Sequence, residues 1–144
     1  MPLLALNGAR SMTNDETSDI PIATYNDSTQ NGAGLDMREF NELVAHLMVG
    51  VVVGSATLTA VVQESNDNST FTNITNAAFT ITADNDDNKT EWLSVDWRHP
   101  DRKRYARAQT VAGGSQDHIH GLTTLRLAPR SDGVVSNGAD VIFA

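Results

Sequence analysis

Short apolar runs separated by turn-forming clusters dominate this chain from Ser55 onward. Thr57 to Gln63 is rich in Val and Thr, and Phe71 to Ile74 is a second short run. Both read as strands. The polar stretch "SNDNS", residues 65 to 69, lies between them. Asn and Asp tolerate left-handed backbone and bond their own main chain, so the stretch predicts a hairpin turn. Residues 77 to 83, "AAFTITA", predict a third strand, and "DNDDNK" after them another polar turn. Residues 90 to 97, "TEWLSVDW", predict a fourth, with Trp92 alternating against charged neighbours. In 102 to 111, Lys103, Tyr105 and Arg107 alternate with Arg104, Ala106 and Ala108. In 121 to 128, Leu125 and Leu127 share one face and Arg126 takes the other. The tail, "GADVIFA", is a candidate last strand. Strands at this spacing with turn signals between them predict an antiparallel sandwich.

Residues 36 to 49, "DMREFNELVAHLMV", satisfy two periods at once. Phe40, Leu43, Val44, Leu47 and Met48 follow helical spacing, and Asp36 with Glu39 reads as a capping box. Leu43, Ala45, Leu47 and Val49 also alternate, and "VGVVVG" follows. Taken alone, the segment leans towards helix.

Residues 1 to 34 differ from the rest. They are polar, with Gly32 and Gly34 near their end, and predict an extended arm preceding a sandwich over 35 to 144. Two apolar islands interrupt the arm: Leu3, Leu4 and Leu6, then Ile20, Ile22 and Tyr25. So polar a segment builds no core of its own. The islands therefore suit docking as edge strands, on the same domain or on a neighbouring subunit.

Composition narrows the function classes. The chain has 144 residues, a 40% hydrophobic fraction and a formal charge of −8. Such a body repels nucleic acid and anionic membranes. No apolar run approaches the ~20 residues of a membrane span, and no signal peptide is expected from "MPLLALNGAR". There is no cysteine, which favours a reducing compartment or a core that needs no staples. The sequons at Asn26, Asn68, Asn73 and Asn88 read as by-products of an Asn- and Thr-rich chain.

Several clusters carry residue types capable of chemistry. Asp84, Asp86 and Asn88 have the first spacings of a calcium loop, but Lys89 and Val95 stand where Gly and Glu are needed. Glu64 and Asp67 flank a turn with no partner base. His118 and His120, beside Asp117, would share a face on a strand, as metal ligands do. No nearby cluster supplies further ligands, and His46 and His99 are distant, so a polar loop suited to a subunit contact is the simpler reading. There is no Gly-x-Ser-x-Gly elbow and no phosphate-binding glycine loop. No catalytic residue, metal or cofactor is expected.

One stretch stands out. Arg98, Arg102, Lys103, Arg104 and Arg107 make up half of the 10 Lys and Arg residues. They read as exposed strand and turn charge, as an interface to an acidic protein surface, or as a nucleic-acid contact. The last fits poorly with a body of charge −8.

Residues about 40 to 127 resemble a family of small virion proteins of tailed bacteriophages. The resemblance rests on Gln63, Glu64, Ser65, Asp67, Phe71, Ile74, Ala78, Phe79, Thr80, Asp96, Arg104, Tyr105 and Arg107. It implies a capsid decoration, or cement, protein on the head shell, commonly a trimeric β-sandwich, and it moves 36 to 49 from helix to strand. The expected fold is all-β: an antiparallel, jelly-roll-like β-sandwich with an N-terminal arm. The expected partners are the major capsid protein and further copies of the chain, a trimer favoured, with no nucleic acid and no membrane. The expected location is the capsid surface of a virion assembled in the host cytoplasm. A neck, tail or fibre component is the alternative, and a carbohydrate-binding module using Trp92 and Trp97 a more remote one.

Overall fold

The computed structural model describes residues 13–14, 19–81 and 87–129. Leu3, Leu4, Leu6, Asp84, Asp86 and the tail from 130 lie outside the described residues. Ten strands form: β1 (Thr13–Asn14), β2 (Ile20–Tyr25), β3 (Ser28–Asn31), β4 (Leu35–Asp36), β5 (Phe40–Val52), β6 (Thr57–Ser65), β7 (Thr72–Ile81), β8 (Thr90–Asp96), β9 (Tyr105–Gly113) and β10 (His118–Pro129). No helix occurs among the described residues.

The strands make two antiparallel sheets packed face to face. One is ordered β1-β10-β5-β8, with β2 on the same edge of β10 as β1. The other is ordered β3-β9-β6-β7, with β4 on the same edge of β9 as β3. The pairs nest: β2 with β10, β3 with β9, β5 with β8, β6 with β7. That is one long hairpin rolled into two layers, the jelly-roll arrangement.

The stretch set apart as an arm is part of this roll from residue 19 onward. Tyr25 lies opposite His118 and Ile20 opposite Leu122, while Ser28 to Asn31 pair with Ala112 to Gln109. After the bend at Asp27 (φ 38) the chain passes from the edge of one sheet to the edge of the other. The second apolar island therefore docks on its own chain. Ile20 is buried in the core, Tyr25 packs against it, and Ile22 is exposed.

The conflict over residues 36 to 49 resolves as strand from Phe40 onward, while Asp36 ends β4 and 38–39 form a turn. Leu43, Ala45, Leu47 and Val49 are buried at period two, while Val44, His46 and Met48 are half-buried on the other face. β5 lies between β10 and β8, so pairing satisfies its backbone on both sides. Tertiary pairing thus overrides a helical period.

Other boundaries shift for physical reasons. The two strands expected over 71 to 74 and 77 to 83 are one strand, β7. Asn76 takes φ 64 and the register with β6 slips between Val61 and Gln63, so a bulge absorbs the turn-like residue without ending the pairing. β9 begins at Tyr105, and 102 to 104 belong to the connection before it. β10 begins at His118, so the histidines expected in a polar loop lie in a strand, both fully buried. Its facing is the reverse of simple expectation. His118, His120, Leu122, Thr124 and Arg126 point inward, while Leu125 and Leu127 are half-buried on the outside. Arg126 is tolerated inside because its guanidinium lies 4.7 Å over the Phe40 ring and donates to the Asp36 carbonyl at 3.2 Å.

Candidate functional site: an apolar sheet face and a basic rim

The two outer faces of the sandwich differ in kind. On the β3-β9-β6-β7 sheet, amide side chains form a ladder across the strands. Gln63 Nε2 donates to Asn73 Oδ1 at 2.8 Å and to Gln109 Oε1 at 3.3 Å. Arg107 Nε donates to Gln63 Oε1 at 2.7 Å, and Gln109 Nε2 to Asn31 Oδ1 at 2.8 Å. This is the polar outer face that a solvated antiparallel sheet ordinarily shows.

The outer face of the other sheet is apolar along β10 and the middle of β5, and polar at the end where Glu42, Ser94 and Asp96 lie. Register fixes which residues share it: Leu125 beside Val44, Thr123 beside His46, Gly121 beside Met48. His46 in turn lies beside Trp92, and Val44 beside Ser94. Trp92 is 63% exposed and stacks flat on His46, ring centroids 3.8 Å apart and planes within 8°. Two glycines let neighbouring strands lay isoleucines across this face. A Cβ at Gly121 would collide with Ile22 Cγ1, and one at Gly50 would come within 2.9 Å of Ile119 Cγ2. Ile22 itself is 63% exposed. Leucines, valine, methionine, isoleucines and a tryptophan thus line a face that solvent alone would favour polar.

The basic strip sits at one end of the sandwich, on the connection from β8 to β9, with Arg107 in β9 itself. Trp97, at its start, is buried, and its indole Nε1 donates to the Lys103 carbonyl at 2.8 Å. A fully buried indole is not a sugar platform, which removes one half of the carbohydrate reading. Most of the strip's charges meet acids of the same chain. Arg98 pairs with Asp96 at 2.8 Å, Arg102 with Glu64 at 3.2 Å and Arg104 with Asp36 at 2.7 Å. Arg38, which sequence reasoning had not grouped with them, joins Asp36 at 2.9 Å. Burial pushes the Asp36 carboxyl up, but the bonds from Arg104 and Arg38 outweigh it and hold the group at about 2. The bonds from Arg98 likewise hold Asp96 at about 2. Lys103 and Arg107 meet neutral partners instead: Lys103 Nζ donates to Thr72 Oγ1 at 2.8 Å, and Arg107 lies 4.1 Å over the Phe71 ring.

The acidic turn between β6 and β7 has a structural job. Asp67 Oδ1 accepts from the Ser65 hydroxyl at 2.8 Å and from the Ser69 and Thr70 amides at 2.9 and 2.8 Å. Those bonds hold its carboxyl at about 2. Glu64 accepts from Arg102 and from the Lys103 amide. Gln63, Glu64, Ser65, Asp67 and Arg107 are thus mutual supports of one corner.

His118 and His120 lie edge to face with centroids 5.1 Å apart. His120 Nε2 meets Thr110 Oγ1 at 2.9 Å, and Tyr25 packs against its ring at 4.5 Å. Burial pushes both imidazoles down, His120 to about 4, so both are neutral near pH 7. No third His, Asp or Glu joins them in a metal-binding group among the described residues.

No protein-family model matches the chain, and no curated protein matches it. Among solved structures, the exported protein XepA of PBSX aligns with a TM-score of 0.59 at 17% identity. The alignment covers 88% of this chain and 42% of that one, so the chain spans about two fifths of its length. An endospore appendage of Bacillus, from a family of disulfide-linked pili, aligns at 0.47 and 10% identity over 82% of this chain and 88% of the other. Infectious bursal disease virus, Gx strain, aligns at 0.42 and 12% identity over 81% and 31%. The likeness to XepA is one of fold.

Proposed function

We propose that this chain is a structural protein of a tailed-bacteriophage virion that binds the outer surface of the capsid shell and stabilises it. The observation that carries the reading is the apolar outer face built from β2, β10, β5 and β8. Four strands at about 4.8 Å spacing and nine residues at about 3.3 Å rise give roughly 20 by 30 Å, or about 600 Å² before side-chain relief. A stable interface takes about 800 Å² per partner. This face, polar at the end where Glu42, Ser94 and Asp96 lie, therefore supplies a part of one docking surface.

The family resemblance over residues 40 to 127 supports the same reading, as does a fold shared with a phage-related exported protein. The partners are the major capsid protein and further copies of the chain, a trimer favoured. The work is binding and not turnover. Several weak contacts made at once on neighbouring capsomers become strong, because each contact after the first is intramolecular. Of the second island, Ile22 remains available to a partner, since Ile20 and Tyr25 pack within the chain.

The test is co-sedimentation of the purified protein with assembled shells and with free capsid subunits, alongside light scattering for its own mass. Binding to shells alone, by an oligomer, is the expected result. A monomer that ignores shells refutes the reading, and labelling confined to a vertex or tail moves the protein to the neck or tail.

A further inference from the structure

The connection from β8 to β9 encloses a cleft that goes beyond the apolar face. Its volume is about 320 Å³, and Arg38, Arg98, Arg102, Lys103 and Arg104 line it. Met37 and Trp97, both buried, form its floor. Five cations thus surround one small space on a chain of net charge −8.

The cations are held in place by their backs. Asp36 takes Nε and a terminal nitrogen of both Arg38 and Arg104. Asp96 takes Nε and Nη2 of Arg98, and Glu64 takes Nη1 of Arg102. A guanidinium carries five N–H donors in a rigid fork, so two bonds to a carboxylate leave others to meet a ligand. The main chain is fixed as well: the Met37 amide donates to the Arg104 carbonyl at 2.9 Å, and the Arg102 amide to the His99 carbonyl at 3.0 Å. Three carboxylates contact four of these five cations, and Arg38 and Arg104 share one of them. Lys103 meets the hydroxyl of Thr72. Positive charge is therefore in surplus where the cleft opens.

We infer that this cleft captures the side-chain carboxylates of an acidic peptide segment on a partner protein. The space accommodates one or two acidic side chains, and preset guanidinium forks match carboxylate geometry. A nucleic-acid strand fits it less well. Its one tryptophan is buried, leaving no indole for base stacking, and a pocket of this size holds single carboxylates rather than a continuous strand.

The test is titration of the whole isolated chain with hexaglutamate, followed by amide NMR and calorimetry. Hexaglutamine and oligothymidylate serve as comparison ligands. The expected result is saturable hexaglutamate binding that weakens with salt, with shifts at residues 37, 38 and 97 to 104. Arg38→Gln and Lys103→Gln should each weaken it about two- to fivefold, and Lys89→Gln, outside the cleft, should not. Unchanged thermal melts will show that the variants fold, and the shift map of the unaltered chain needs no variant. Equal binding of hexaglutamine, shifts elsewhere, equal loss with Lys89→Gln, or binding of oligothymidylate in preference overturns the inference. Shell binding through the apolar face is read by a separate assay, so either can fail alone.

Discussion

Truncating Ile20 to alanine measures whether β2 belongs to its own chain's core. Ile20 is 3% exposed and lies opposite Leu122 of β10. Ile20→Ala removes three carbons, and at about 0.8 kcal/mol per methylene the transfer loss is about 2.4 kcal/mol. An incompletely collapsed cavity brings the total to about 3 kcal/mol. For a chain of this size that is about 9 °C in melting temperature. Ile22, two residues on, is 63% exposed, and Ile22→Ala should change stability by less than about 0.5 kcal/mol. Thermal denaturation followed by far-UV circular dichroism reads both. Equal losses from the two substitutions, or none from Ile20→Ala, would refute the inward docking of β2 and return the segment to the status of an arm.

Three further outcomes follow from the packing. Acid should weaken the fold through His120, whose folded value of about 4 lies below the ordinary 6.5. The unfolded chain then binds the extra proton, so the contribution is intact above about 6.5 and is lost as pH falls towards 4, about 3 kcal/mol in all. Urea midpoints from pH 7.5 to 4.5 should fall, and His120→Gln should flatten the slope. A pH-independent midpoint in the unaltered protein would contradict this. Gly34→Ala sets a Cβ against Asn68 Oδ1, the tip of an exposed side chain that can swing aside, and should lower stability by no more than about 1 kcal/mol. Adding Asn68→Gly removes the obstruction, suits the positive φ of 58 there, and should restore most of the loss. Trp92→Ala with Leu125→Asp should abolish sedimentation with shells while moving the melting temperature little, and undiminished sedimentation would rule out the apolar face as the contact.

The strands were legible where β-branched residues and turn clusters coincide, as at Thr57 to Ser65 and its Asp67 turn. β5 was not legible alone, because Phe40, Leu43, Val44, Leu47 and Met48 also suit a helix and only pairing on both sides decides. β10 shows a different limit. Alternation of Leu125, Arg126 and Leu127 reveals two faces but not which one looks inward. The usual guess buries the leucines, whereas here Arg126 packs on Phe40 and the leucines join an outer apolar face. The basic stretch was visible as composition. Its neutralisation was not, because Arg102 meets Glu64 across 38 positions and Arg104 meets Asp36 across 68. Arg38 escaped notice for the same reason. The N-terminal segment misled through its polarity, since β2 holds its edge with Ile20 buried and Tyr25 half-buried among six residues.

The pairing of β2 with β10 has a consequence for biosynthesis. β10 fills the slot between β2 and β5, so until it leaves the ribosome that sheet has a gap and two raw edges. Pairing across nearly the whole chain closes late and slowly. Nascent molecules must wait, exposed, until β10 emerges, and crowding during that wait invites strands from a sibling into the empty slot.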